Sequence, residues 1–187
     1  MYLATLCPSC GSSHLKKYPA IVSPFIASYV LGKPPGLSPL CECTECSFRF
    51  FESRFDVDEI AHLYQDYRGK RYYQERHRHE FWYTDRINDG IGKDAKEIKI
   101  RQDRVEEMVH EELKGKENTV IQTVLDYGGD RGQFIPASLG KERFVYEISD
   151  VPTVPGVTAI KSVDEIHGRH FDFIMLCHVL EHCSEPI

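Results

Sequence analysis

The chain lacks the features that would place it in a membrane or on a nucleic acid. Its longest apolar stretches are broken by Ser, Gly, Pro or a charge well short of the roughly 20 residues that a membrane helix needs. The opening MYLATLCPSC has no basic segment followed by an apolar one, so we predict no secretory signal and a cytoplasmic location. Basic residues (23) are outnumbered by acidic ones (29). This balance argues against a general nucleic-acid binder, because phosphate affinity comes from clustered Lys and Arg.

What remains is the composition of an ordinary globular protein, with 41% hydrophobic and 28% charged residues among 187. The chain divides by composition into three parts, residues 1–52, 53–118 and 119–187. Net charge is +2 over residues 1–50, −3 over 51–120 and −5 over 121–187. The first part holds most of the cysteines, the second is rich in charges and aromatic residues, and the third alternates short apolar runs with glycine turns. The predicted order is a zinc module, a helical segment and an α/β domain.

Five of the seven cysteines lie within the first 46 residues, and two C-x-x-C pairs stand out among them: Cys7 with Cys10, and Cys43 with Cys46. Each such turn places two sulfurs on one side of a tight loop, and two turns supply the four thiolates of a structural zinc site. Gly11 suits the positive φ that such a turn often needs. Cys41 is an alternative to Cys43, and reduced thiols packed as apolar groups are an alternative to metal. His14 is predicted to be a surface residue.

The middle part reads as helical. Asp56 and Glu59 form a predicted capping box ahead of one helix, and a longer helix is predicted from Lys93 to Leu113 with Gly115 as its stop signal. Between them lies an aromatic and basic segment, residues 71–83. We interpret it as a helix that packs its aromatic side on a neighbour. A lid over a substrate and a stacking platform for single-stranded nucleic acid are the alternatives, and interleaved acids weaken the second.

The third part begins with an apolar, β-branched run, residues 120–125, that predicts a buried parallel strand. It ends in the turn DYGGDRG, after which we predict a helix with Phe134, Ile135 and Leu139 on its buried side. A second strand, residues 143–147, ends in the acid Glu147. An acid at that distance beyond a glycine turn is where the ribose of an adenosine is held through its hydroxyls.

Two further strands follow. The third covers residues 157–160 and precedes a capping box that begins at Ser162. The fourth covers residues 171–177 and runs into His178-Val-Leu-Glu181-His182.

The strand, glycine turn and terminal V-L-E-H resemble the class I S-adenosylmethionine-dependent methyltransferases. The C-x-x-C pairs ahead of such a domain are similar to bacterial sugar C-methyltransferases and related glycan-cluster enzymes. The resemblance implies a Rossmann-like methyltransferase sheet behind a small zinc ribbon and a helical segment. It also implies methyl transfer to a small-molecule acceptor such as a nucleotide-linked sugar. A complete domain of this family has seven strands, and only four precede Ile187, so the resemblance predicts a C-terminally truncated domain or one completed by a partner.

The resemblance also assigns residues to the cofactor. Asp126 supports its methionine end, Glu147 accepts from both ribose hydroxyls, and Ser162 and Val163 flank adenine. The backbone passes the cofactor at the glycines of the turn, Gly128, Gly129 and Gly132. Cys177 ends the fourth strand, where it either lines this site or packs as a small residue. Asp130 stands where the family often has a glycine.

A catalytic base is sought among the residues that follow the fourth strand, because ligands bind at the carboxyl ends of parallel strands. His182 is the first candidate, His178 the second, and Glu181 is placed to orient either. The alternative for each histidine is a cap or backbone contact, and in some relatives the acid and histidine bind a metal.

Three other functions compete with this reading. A nicotinamide-binding Rossmann unit requires G-x-G-x-x-G, and a carboxylate at Asp130 would repel its pyrophosphate, whereas S-adenosylmethionine has no phosphate and a positive sulfonium. A non-catalytic scaffold is the second competitor. An RNA methyltransferase is the third, and the acidic balance argues against it. The sequence leaves the acceptor and the oligomeric state open.

Overall fold

The computed structural model of the protein describes residues 1–116, 119–149 and 151–183, and it is a mixed α/β structure of two compact units. The first unit comprises Met1–Asn88 and the described residues from Glu181 onward. Its elements are β1 (Tyr2–Leu3), β2 (Leu15–Tyr18), α1 (Pro24–Tyr29), β3 (Leu40–Cys43), β4 (Arg49–Phe51), β5 (Ser53–Arg54), α2 (Val57–Gln65) and α3 (Lys70–His79).

The second unit comprises Asp89–Leu180, and the boundary between the units falls within α4 (Asp85–Gly90). Its elements are α5 (Ala95–Leu113), β6 (Thr123–Tyr127), β7 (Glu142–Tyr146), β8 (Thr158–Ile160), α6 (Val163–His167) and β9 (Phe173–Met175). A 3₁₀ turn, Leu180–His182, follows β9. Within the described ranges, every helix is too short or too polar to cross a bilayer.

A three-stranded antiparallel sheet carries the cysteines of the first unit. Its strand order is β2-β3-β4, and Leu15 pairs with Cys43 in the register of β2 and β3. Cys41 and Cys43 are fully buried on β3, where they join Phe50 in a small core. The strand after the second cysteine pair is β4.

The helices of the first unit pack through aromatic rings. The predicted capping box is confirmed: the Asp56 carboxylate accepts from the Glu59 backbone at 2.9 Å, and the Glu59 carboxylate accepts from the Asp56 backbone at 3.0 Å. The rings of Phe25 and Tyr29 on α1 lie 5.2 and 5.8 Å from that of the buried Tyr72 on α3. The aromatic side of α3 therefore packs against α1.

The prediction that this helix extends to Tyr83 is wrong, because α3 ends at His79. Beyond it the chain turns back, and the imidazole of His77 meets the Tyr83 carbonyl at 2.9 Å. The buried Tyr83 ring then lies 3.9 Å from the Arg76 guanidinium, which also binds Glu80 at 2.8 Å. These contacts hold Tyr83 in the core, whereas a continued helix would carry it away.

A parallel four-stranded sheet forms the second unit, in the order β8-β7-β6-β9. In β6 the residue pairs run from Thr123 opposite Glu142 to Tyr127 opposite Tyr146. Val124, Val145 and Met175 are buried on one face of the sheet, where Val105 of α5 packs on them. All four predicted strands are present. The first begins at Thr123 instead of Val120, because Val120 is 64% exposed and the chain becomes buried only afterwards.

The helix predicted after the glycine turn is absent. Residues 131–140 form successive turns, although Ile135 is buried and Phe134 and Leu139 pack on the core as predicted. Pro136 interrupts this stretch, and proline in a helix interior removes a hydrogen bond and clashes with the preceding turn. The long helix is confirmed as α5. It is capped by Asp94 and followed by Gly115 at φ +82°.

Candidate functional site

The four predicted zinc ligands converge at one end of the ribbon. The sulfurs of Cys7, Cys10, Cys43 and Cys46 all lie within 4.8 Å of one another. The sulfurs of Cys7 and Cys46 are 3.6 Å apart, as are those of Cys10 and Cys43. Zinc–sulfur bonds of about 2.3 Å in a tetrahedron place sulfurs about 3.8 Å apart. The cluster therefore has the dimensions that hold a metal ion such as zinc.

The backbone of both cysteine turns is arranged alike. Gly11 and Ser47, each following a C-x-x-C pair, have φ +72° and +61°. The N–H of Gly11 donates to the Cys7 carbonyl, and that of Ser47 donates to the Cys43 carbonyl, each at 2.9 Å. The positive φ predicted for Gly11 is confirmed. Ser47 adopts the same conformation, although a positive φ is sterically unfavourable for a residue that has a Cβ.

Two thiols of this cluster, those of Cys43 and Cys10, have pKa values shifted in opposite directions. Hydrogen bonds from the backbone N–H groups of Cys46 and Glu45 lower the pKa of Cys43 to about 6, against the opposing effect of burial. For Cys10 the Ser12 backbone lowers the pKa, but the neighbouring thiol of Cys46 and burial outweigh it and raise the pKa to about 12. Four crowded thiols do not ionise together without a cation, whereas a bound metal draws all four into the thiolate form.

The other cysteine candidate and His14 lie outside the cluster. Cys41 is buried opposite Phe50 in the register of β3 and β4, and burial raises the pKa of its thiol. The imidazole of His14 is exposed and pairs with Glu45 at 2.9 Å, as predicted for a surface residue. A site of four cysteines has no open coordination position, so a metal here holds the ribbon together and takes no part in chemistry.

A second candidate site lies at the carboxyl end of β6, where Asp126 is fully buried. Neither oxygen of its carboxylate has a hydrogen-bond partner within the described part of the chain. Burial first, then the charges of Glu147 and Asp130, raises the pKa of Asp126 to about 7. A buried polar group without a partner costs free energy, so native proteins supply one or keep it for a function.

The glycines that follow Asp126 lie where neighbouring side chains leave no room for a Cβ. At Gly129 a Cβ would lie 2.2 Å from the carboxyl carbon of Asp126. Gly128 and Gly132 have φ of +70° and +73°, and a Cβ would lie 2.6 Å from Val179 at the first and 2.7 Å from Val157 at the second. All three positions therefore require glycine, and at Gly129 the reason is the carboxylate itself.

The carboxylate of Glu147 closes this turn. One oxygen accepts from the Asp130 backbone and the other from the Ser149 backbone, each at 3.1 Å. Asp130 is held at φ +55°, a conformation that glycine adopts more readily. Position 130 thus has an aspartate with the positive φ that a glycine would adopt there.

Gln133 is a residue of this turn that the sequence reasoning missed. Its amide nitrogen donates to the Asp130 carboxylate at 3.1 Å and to the Gly92 carbonyl at 3.2 Å, and its amide oxygen accepts from the Arg131 backbone at 3.0 Å. It is nearly fully buried. The only sequence signal was a Gln next to Gly132, which is too common to single out.

The remaining predicted residues are distributed as follows. Ser162 caps α6 by accepting from the Glu165 backbone at 3.3 Å, and Val163 begins that helix with a partly exposed side chain. Cys177 and His178 follow β9 and are exposed, and His178 has φ +58°. Partial desolvation and then the charge of Asp126 raise the pKa of the Cys177 thiol. An electrostatic interaction thus links Cys177 to Asp126.

His182 belongs to the first unit. Its ring lies 5.7 Å from that of Tyr64 on α2, in an edge-on arrangement. Glu181 precedes it in the 3₁₀ turn, and its side chain lies outside the described part. The structure therefore groups Asp126, the three glycines and Glu147 around one turn, and it places His182 beside an aromatic residue of the other unit.

The chain was also compared with known proteins. No protein-family model, no curated protein and no solved structure matches it. The chemistry of both candidate sites accordingly rests on their own geometry.

Proposed function

We propose that this protein is an S-adenosylmethionine-dependent methyltransferase that acts on a small molecule, such as a nucleotide-linked sugar or glycan precursor, and carries a structural zinc ion. The observation that carries the proposal is the buried carboxylate of Asp126, which has no partner among the described residues and ends the central strand β6. The ammonium group of the cofactor's methionine part is a partner of the right charge for this carboxylate.

The topology of the sheet supports a nucleoside ligand. Counted along the chain, the order β8-β7-β6-β9 places the strands as third, second, first and fourth. This is the order in half of a doubly wound nucleotide-binding sheet, whose ligands bind outside the carboxyl ends of the strands. Asp126 and the glycine turn lie at that end of β6.

The charge of the site supports this cofactor over a dinucleotide. Asp126, Asp130 and Glu147 bring three carboxylates to one turn, and two of them act on the pKa of the third. A pyrophosphate would meet these charges with repulsion. The cofactor proposed here carries a sulfonium and an ammonium and no phosphate, so the same charges attract it.

In this proposal each residue of the turn has a role. Asp126 holds the ammonium, and the glycines, which have no side chain, let the backbone approach the ligand closely. Glu147 keeps acceptor capacity for ribose hydroxyls while it binds two backbone amides, since carboxylate oxygens accept more than one hydrogen bond. Ser162, Val163 and Cys177 are assigned to the rim. When bound, the cofactor supplies an electrophilic methyl group.

The candidates for the general base that deprotonates the acceptor are His182 and His178, and Glu181 is the candidate acid that orients it. A base removes a proton from the acceptor in the transition state and contributes little to cofactor binding. Replacing His178 or His182 by Gln is therefore expected to lower methyl transfer and leave cofactor affinity unchanged.

The experiment that tests the proposal is calorimetric titration of the zinc-loaded chain with S-adenosylmethionine and, separately, with NAD⁺. We expect binding of the first and none of the second. Binding of NAD⁺ alone would replace the proposal with a dinucleotide site. Binding of S-adenosylmethionine without methyl transfer to any acceptor, measured with a labelled methyl group, would make the protein a non-catalytic binder.

A further inference from the structure

The first unit contains a cavity of about 380 Å³. Its walls come from α1, α2, β4 and β5, from the last residue of the 3₁₀ turn, and from Cys183, which follows it. A cavity of this size falls in the range of small-molecule sites, which are mostly apolar with a few polar groups that orient the ligand.

The body of the cavity is apolar. Side chains of Ile26, Phe55, Ile60 and Leu63 contribute to its wall. Ser38 and Ser53 add small polar groups, and the Ser53 N–H donates to the Ser38 hydroxyl at 3.4 Å. Such a wall favours a ligand with a hydrocarbon or aryl body, because burying that body removes apolar surface from water.

The full charges among the described residues that line the cavity are positive. They belong to Arg54 and the Met1 amine, while His182 adds an imidazole, and no Asp or Glu is among those residues. The two acids that follow Arg54 closely in sequence, Asp56 and Glu59, bind the Met1 amine at 2.6 and 2.7 Å. The electrostatic field of the wall therefore favours an anion.

Arg54 and His182 each have a contact within the first unit. Arg54 donates through one guanidinium nitrogen to the Cys183 carbonyl at 2.5 Å. The His182 ring stands edge-on to Tyr64, whose side chain also lines the cavity. A guanidinium held beside an apolar pocket lowers the entropy cost of binding a small anion, and an imidazole N–H is a further hydrogen-bond donor for it.

We propose that this cavity binds a small organic anion with an apolar body, such as a medium-chain or aryl carboxylate, with the anionic group at Arg54 and His182. The described residues that form the site all belong to the first unit. The site shares His182 with the proposed methyl transfer, but anion binding is measured without cofactor or methyl transfer, so either proposal can fail alone.

The test uses the zinc-loaded protein and the fluorescent arylsulfonate 8-anilinonaphthalene-1-sulfonate as the probe, with octanoate, 1-octanol and octylammonium as competitors of equal chain length. We expect octanoate to displace the probe at concentrations about tenfold lower than 1-octanol, the ratio expected from a charge-assisted hydrogen bond. Octylammonium is expected to compete most weakly. Equal competition by octanoate and octylammonium, or no binding of the probe, would overturn the proposal.

Two pairs of variants localise the binding. Arg54→Gln is expected to lower the affinity for octanoate about tenfold and to leave the affinity for 1-octanol unchanged. The control is Arg104→Gln, at an exposed arginine on α5, which should change neither affinity. Leu63→Trp is expected to fill the cavity and abolish binding of octanoate and of 1-octanol. Its control, Ile100→Trp at an exposed site, should leave both ligands bound. Full binding by Leu63→Trp contradicts the proposed location.

An internal readout needs no substitution. Cys183 lines the cavity, Cys177 is not among the described residues of its wall, and neither cysteine is in a disulfide. Octanoate is expected to slow alkylation of Cys183 by iodoacetamide several-fold and to leave Cys177 unaffected, as followed by peptide mass spectrometry. Equal alkylation of Cys183 with and without saturating octanoate would also overturn the proposal.

Discussion

Replacing Asp126 by Asn is expected to stabilise the fold at pH 8, although the residue ends the central strand. The Asp126 carboxylate is fully buried and has no partner in the described part of the chain, and burial raises its pKa from 3.8 to about 7. A group with a raised folded-state pKa is held in its protonated form by folding. The stability associated with that proton is complete below pH 3.8 and is lost as the pH rises through 7.

The magnitude follows from the shift. About three pKa units at about 1.4 kcal/mol each give a penalty of about 4 kcal/mol for the ionised carboxylate above pH 7. At pH 5 the same shift accounts for only about 1.5 kcal/mol, so the penalty grows by about 2.5 kcal/mol between pH 5 and pH 8. An Asn amide carries no such charge, but its own unpaired groups cost about 1–3 kcal/mol. The expected net gain at pH 8 is about 2 kcal/mol.

The assay is urea unfolding of both proteins by circular dichroism at pH 5, 6, 7 and 8. The advantage of Asp126→Asn should grow with pH. Asp172→Asn is the matched control with the opposite sign, because hydrogen bonds from the Thr123 and Gln122 backbones lower the pKa of Asp172. That variant should be destabilised by the same amount from pH 5 to pH 8, because the stabilisation from a carboxylate with a lowered pKa is lost only below about pH 3.8. A pH-independent difference between wild type and Asp126→Asn refutes the reasoning.

Three further predictions concern the metal, the turn and the aromatic core. We expect wild type and Cys41→Ser to bind one zinc ion and Cys43→Ser to bind none, as measured with a chromophoric chelator. Absence of zinc from both variants would remove the assignment. Gln133→Ala should lower the affinity for S-adenosylmethionine about tenfold, because the Asp130 turn loses a hydrogen bond. Gln133→Glu should lower it further, because it places a second negative charge beside Asp130. Unchanged affinity of both variants in calorimetry would leave Gln133 a packing residue. Arg76→Gln should lower the free energy of unfolding by about 1–2 kcal/mol through its lost contacts with Tyr83 and Glu80, and no change in urea unfolding would contradict this.

The parts of the structure that follow local rules could be predicted from the sequence. The two C-x-x-C turns identify four ligands, and Asp56 and Asp94 cap the helices that follow them. Alternating and continuous apolar runs located every strand of the parallel sheet within a few residues. Each of these signals acts over fewer than ten residues.

The parts that depend on distant contacts could not be predicted. Gln133 reaches Gly92 from 41 positions away. The helix expected after the glycine turn failed for a local reason, Pro136, which outweighs the apolar spacing around it. The burial of Asp126 could not be predicted either, because an acid at the end of a strand can be exposed or buried.

The central claim is that the Asp126 turn binds the cationic end of S-adenosylmethionine. The measurement that tests it most directly is calorimetric titration of the cofactor into wild type and Asp126→Asn at pH 8. The account predicts that wild type binds and that the variant, though more stable, loses at least about tenfold in affinity with the charge-assisted contact. Equal affinity of the two proteins would contradict the claim, because binding would then owe nothing to the buried carboxylate.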